Sequence, residues 1–149
     1  MTRDAPHFSV LFHDLAGKTT QCPQFLLEEA FNNGYGDQIS VITTQPRRVA
    51  ATSVAERVSE EMVEPLGQTV GYQIRMDIKK SKNTRLLFCT TGVVLRRLQD
   101  DPLLSGITHI CVDEVHERQY QVGTVSDFLR CNGYCSRSGP NNYGIVFCC

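Results

Sequence analysis

Short apolar runs alternate along this chain with longer stretches in which apolar positions return every three or four residues, and that alternation predicts its elements. Phe8–Phe12 predicts a short strand. Lys18 to about Asn33 predicts a helix, with Phe25, Leu26 and Ala30 mixed among Glu28 and Glu29 at helical spacing before the stop at Asn32-Asn33-Gly34. Pro23 falls early in that helix, where it does least damage. Gln38–Thr44 predicts a second strand, ended by Pro46, and Arg47–Met62 an amphipathic helix that buries Val49, Ala50, Val54, Ala55 and Val58 on one face. Thr69–Arg75 and Thr84–Thr90 predict further strands, Val93–Leu98 a short helix, and Ile107–Asp113 a strand buried on both faces. Strands alternating with helices imply an α/β fold with an open, mostly parallel sheet. After Arg130 the pattern dissolves into a turn-rich stretch with no usable period, followed by Ile145–Cys149, to which the pattern assigns no packed role.

Length and composition narrow this picture. At 149 residues with 41% apolar content the chain fits one domain with a core, and two-domain machinery is excluded. The formal net charge is −1 and the pI about 6.4, so attraction to nucleic acid must come from local basic clusters, for which Arg47-Arg48 and Arg96-Arg97 are the candidates. No apolar run approaches a membrane span, and Phe8–Phe12 is interrupted too soon by His13 and Asp14 to serve as a signal peptide. The expectation is an intracellular protein, cytoplasmic rather than nuclear, with no membrane partner. Seven cysteines are present, an odd number that argues against a closed disulfide framework. Cys22, Cys89 and Cys111 fall inside regular elements and read as small buried hydrophobes. Cys131, Cys135, Cys148 and Cys149 lack two CxxC pairs, so an irregular tail is favoured over a zinc site.

The chemistry is concentrated in two segments. Asp113-Glu114-Val115-His116-Glu117-Arg118 ends the last apolar strand, and Gly17-Lys18-Thr19-Thr20 opens the first helix 95 residues upstream of Asp113, counting from Lys18 (113 − 18). In a phosphate-binding loop, backbone N–H groups and the helix N-terminus surround the phosphates, the lysine neutralises their oxygens and the following hydroxyl ligates Mg²⁺. The full motif needs a glycine five places before Gly17, where Phe12 stands, and Asp14 adds a negative charge where a triphosphate would lie. Alone, GKTT is an ordinary helix start; the acidic pair is what raises it. Mg²⁺ would be held through Thr19, Asp113 and Glu114, with Glu114 placed to orient or deprotonate the attacking water. His116 would read the state of the γ-phosphate and pass it to neighbouring segments, although a lone His is more often a packed or exposed side chain. Thr44-Gln45-Pro46-Arg47-Arg48 and Cys89-Thr90-Thr91-Gly92 each join a strand end to a helix start, where hydroxyls, N–H groups and guanidinium groups suit phosphodiester contacts. The bland alternatives are a solvated Arg pair and a good N-cap.

Together and in this order, these segments resemble the first RecA-like domain of the DEAH-box (DExH) RNA helicases. The resemblance is carried by GKTTQ (17–21), PQFLLEEA (23–30), TQPRR (44–48), SVAERV (53–58), VGYQIR (70–75), TRLLFCTTGVVLRRLQDDPLLS (84–105) and THICVDEVHER (108–118), and continues to Ser126–Leu129. It implies a P-loop NTPase fold with helices on both faces of the sheet, and NTP hydrolysis, with ATP and Mg²⁺, coupled to 3′-to-5′ movement along single-stranded or structured RNA. Lys18, Thr19, Asp113 and Glu114 would then serve phosphate, metal and water, and Arg47, Thr90 and Thr91, with Arg48 beside them, would touch RNA backbone.

The chain departs from the pattern where Phe12–Ala16 replace a GETGSGKT-like start and Gln119–Val125 lengthen a short spacer. The second RecA-like domain with its arginine fingers, and the strand ending in Ser-Ala-Thr, are absent. The expected organisation is a partial RecA-like domain over 1–130, incomplete at its C-terminus, and an irregular Cys-rich tail over 131–149 unlike the family. Two functions are consistent with this: a truncated first motor domain unable to unwind RNA alone, or a non-catalytic RNA- or nucleotide-binding product. Oligomeric state is left open.

Overall fold

A computed structural model of the protein describes residues 17–113 and 144–147. The predicted strand Phe8–Phe12, the lengthened spacer 119–125 and most of the tail lie outside the described residues. The elements run α1 (Lys18–Asn32), β1 (Val41–Gln45), α2 (Arg48–Glu61), β2 (Val70–Ile74), β3 (Asp77–Lys79), β4 (Leu86–Thr90), α3 (Thr91–Asp100), β5 (His109–Val112) and β6 (Gly144–Phe147). The strands form one sheet in the order β3-β2-β4-β1-β5-β6. Every pairing is parallel except the β2–β3 hairpin.

Alternation along the strands divides the interior into two layers, because successive strand residues point to opposite faces. Val41, Leu86, Phe88 and Cys111 meet Leu27, Ala30, Ala51, Ala55 and Val58 of α1 and α2 on one face. Ile42, Leu87, Cys89, Ile110 and Val112 meet Val94 and Leu98 of α3 on the other. The sheet is therefore covered on both sides, as the apolar runs required. On the surface, Gln24 Nε2 donates to Glu61 at 2.7 Å, tying α1 to the end of α2. That hydrogen bond, and then Arg57, hold the Glu61 carboxyl below its ordinary range.

Several details differ from the pattern's prediction, among them Val49, which is 75% exposed because the buried face of α2 is formed by Ala51, Ala55, Val58 and Ser59. Pro23 is the sixth residue of α1 (23 − 18 + 1), beyond the first turn, so the helix lacks the bond its N–H would have made to Thr19. The hairpin strand β3 is absent from the predicted elements: all three of its residues are exposed, so no apolar period marks it. Gly144–Phe147, from the stretch without an assigned role, pairs in parallel with β5, so that β5 has a neighbour on each edge. No helix among the described residues is long and apolar enough to cross a membrane.

Candidate functional site

Gly17 precedes α1 at φ +86°, a left-handed conformation that suits glycine and turns the chain sharply into the helix. Its carbonyl accepts from the N–H groups of Thr20 and Gln21 and from the Thr20 hydroxyl at 3.1 Å. Neither α1, α2 nor α3 carries an acidic residue in its first turn. A helix N-terminus is electropositive, and acids there are the usual way to complement it. At α2 the sequence does the reverse, placing exposed Arg47 at the N-cap and Arg48 at the first helical position. Two guanidinium groups at the positive end oppose helix stability, and they suit an external anion.

Strand alternation also sets where the buried acid points. Val41, Thr43 and Gln45 share one face of β1, and Cys111 and Asp113 share the corresponding face at β5, the side covered by α1. Thr44 is opposite Val112 in the parallel register, so the next residues, Gln45 and Asp113, emerge side by side at the carboxyl ends of their strands. There the Thr19 hydroxyl donates to Asp113 Oδ2 at 2.5 Å and the Gln45 amide donates to the same oxygen at 2.7 Å. Asp113 is 5% exposed and Gln45 3%. A buried carboxylate requires partners of this kind, and hydrogen bonds to an ionised acceptor are the strong ones.

Of the predicted phosphate residues, Thr19 is thus brought to Asp113 across 94 residues of sequence, with Gly17, Lys18 and Thr20 flanking it at the start of α1. Glu114 and His116, like Arg118, lie outside the described residues. Thr19 and Asp113 are hard oxygen donors of the type magnesium takes, and that ion normally keeps several waters and phosphate oxygens rather than a full protein cage. Among the described residues there is no group of three or more His, Cys, Asp or Glu that could hold a metal ion.

The second predicted set lies beside the first. Gln45 is opposite Thr90 in the β1–β4 register, so Pro46–Arg48 and Thr91 leave the sheet at the carboxyl ends of neighbouring strands, toward α2 on one face and α3 on the other. Thr90 is the N-cap of α3, yet its side chain makes no capping hydrogen bond. The Thr91 hydroxyl is buried without a hydrogen-bond partner, although the residue is only 3% exposed. The Thr43 hydroxyl, in the middle of β1, is buried in the same way, so this feature alone does not mark a contact site. Gln45 is the site residue that motif reasoning left without a role. Its role becomes visible only once Asp113 is placed beside it by the β1–β5 register.

No family model matches the chain. Relatives are nevertheless evident. The chain is 56% identical over 113 residues to the DExH-box ATP-dependent RNA helicase DExH1 of Arabidopsis thaliana. It is 52% identical over 120 residues to the ATP-dependent RNA helicase dhx29 of Xenopus laevis, and 50% identical over 114 residues to the ATP-dependent RNA helicase DHX30 of Homo sapiens. Each match covers 76% of this chain and between 8% and 11% of the relative, so the chain spans about a tenth of the length of the curated relatives it matches.

Proposed function

The chain belongs to the DEAH-box (DExH) helicase family, and from that premise we propose that its described residues form the nucleotide- and RNA-facing edge of a first RecA-like motor domain. ATP would place its phosphates at the N-terminus of α1, where Lys18 supplies charge. Thr19 and Asp113 would hold Mg²⁺, which when bound neutralises phosphate charge and polarises the reacting oxygens. Glu114 would orient the attacking water, and His116 would respond to the γ-phosphate. Arg47, Arg48, Thr90 and Thr91 would grip successive phosphates of an RNA strand without reading bases. The observation that carries this reading is the convergence of Thr19 and Gln45 on one oxygen of Asp113, which joins the two halves of the expected phosphate site.

Movement along RNA requires a second motor domain that closes over the nucleotide and contributes arginines, which are worth orders of magnitude in phosphoryl transfer. Unwinding is therefore proposed for a protein that carries this segment with such a partner domain. For the 149-residue chain we propose binding of Mg-ATP and RNA with little RNA-stimulated turnover. ATPase rates with and without RNA test this directly: turnover at the rate of a complete helicase, abolished by Lys18→Ala, would replace the binding reading with a catalytic one. Affinity for single-stranded RNA across a salt series tests the second set, and Arg47→Ala/Arg48→Ala should flatten the log–log slope by roughly one to two. An unchanged slope would remove these arginines from the interface.

A further inference from the structure

Gln45 stands at the junction of the two proposed contact sets, and its side chain is buried with its amide given to Asp113 rather than to sheet pairing. The β1–β5 ladder is already made by backbone, with Val41 to Thr44 opposite His109 to Val112. An apolar residue of similar volume would fill the same buried space without the cost of desolvating an amide. The amide instead donates to Asp113 Oδ2, the same oxygen that accepts from Thr19. Both donors can be accommodated because a carboxylate oxygen offers more than one lone-pair site.

The residues immediately after Gln45 extend the reach of that bond. Gln45 is the last residue of β1, and Pro46, whose ring fixes φ near −65°, comes next. Arg47 is extended at φ −117°, ψ 141°, and Arg48 opens α2. One side chain and one stiff residue therefore separate the carboxylate from the first guanidinium-bearing residue. Gln45 is also opposite Thr90, the residue before the buried Thr91.

We propose that Gln45 is a positioning residue that couples the state of Asp113 to the Arg47–Arg48 loop, so that occupancy at the phosphate site changes the affinity of the loop for RNA phosphates. The liganded half of this statement rests on the function proposed above; the mechanical link does not. Thr19 and Asp113 would hold a cation there, and the Gln45 amide, bonded to the same carboxylate oxygen, would carry a change in the carboxylate's position to residues 46–48. Linkage makes the effect reciprocal, so RNA at the loop would alter nucleotide affinity by the same factor.

A ligand-free measurement tests the link in the whole chain. Backbone amide resonances of Arg47 and Arg48 are followed in a cycle of Asp113→Asn and Gln45→Met, methionine having similar length and no donor. Asp113→Asn should shift both amides with Gln45 present, and the shift should fall by at least about half in the Gln45→Met background, a non-additivity expected of residues in direct contact. Amides of Val70–Ile74 report whether each variant is folded, and Gln45→Asn, which keeps the amide but is one methylene short, replaces Gln45→Met if it does not fold. Equal shifts in both backgrounds overturn the inference.

A second arm measures oligouridylate affinity with and without Mg²⁺ and a non-hydrolysable ATP analogue. The expected ratio is at least about fivefold in the native chain and under about twofold in Gln45→Met. An undiminished ratio in the variant overturns the coupling. If the ligand-free cycle is non-additive and neither ligand binds, the link stands and the proposed function falls.

Discussion

Cys89 illustrates what a single residue's surroundings do to its chemistry. Burial in the α3 layer pushes its thiol up to about 12, and its Sγ lies 3.8 Å from the Thr43 carbonyl. In the unfolded chain the thiol returns to its ordinary range near 9. The folded state therefore keeps a proton that the unfolded state loses as pH rises between those values. This contribution to stability is complete below about pH 9 and is lost progressively toward pH 12. Urea titrations from pH 8 to about pH 11 should show an extra loss in the native chain relative to Cys89→Ala, approaching about 1.4 kcal/mol per pH unit for one proton. Parallel profiles would mean that the thiol is not shielded. Reading Cys22, Cys89 and Cys111 as buried hydrophobes needs only their place in regular elements, and all three are buried as free thiols. The role of Gln45 cannot be read in that way, because a lone amide at a strand end has no meaning until its neighbour across the sheet is known.

At the scale of elements, the long helices and buried strands were legible because each carries enough apolar repeats to declare a period. Their ends differ from the pattern by a few residues: the first described strand begins at Val41 rather than Gln38, and α3 extends over Thr91–Asp100 rather than Val93–Leu98. The hairpin β2–β3 depends on relations the pattern does not contain. Tyr72 is opposite Lys79, its hydroxyl donates to Asp77 at 2.8 Å, and Met76 turns the chain at φ +139°. Gly71 makes the approach possible, since a Cβ there would lie 2.4 Å from the Lys79 carbonyl. Gly71→Ala should force the two strands apart and cost about 1–3 kcal/mol in urea unfolding, with faster amide exchange concentrated in 72–79. A loss of protection spread evenly over the sheet would contradict a local cause.

For the whole molecule, the decisive feature is that β5, which carries Asp113 at its end, is paired on both edges. Removing residues 144–149 should expose one edge, lower the melting temperature and promote association, as unpaired edge strands do. Thermal unfolding and light scattering of the shortened chain check this, and unchanged values would mean that β6 adds nothing to the sheet. The sequence by itself determined the α/β alternation, the family, and the residue types proposed to hold phosphate and metal, because these reside in local period and in short motifs whose chemistry is explicit. Only the tertiary structure decided that Thr19 and Gln45 share one oxygen of Asp113, that Thr90 is opposite Gln45, and that an unassigned segment completes the pairing of β5. The physical reason is that strand order and register arise from contacts between distant parts of the chain. Alternation along one strand tells which face a residue takes, and only the neighbouring strand tells what it meets there.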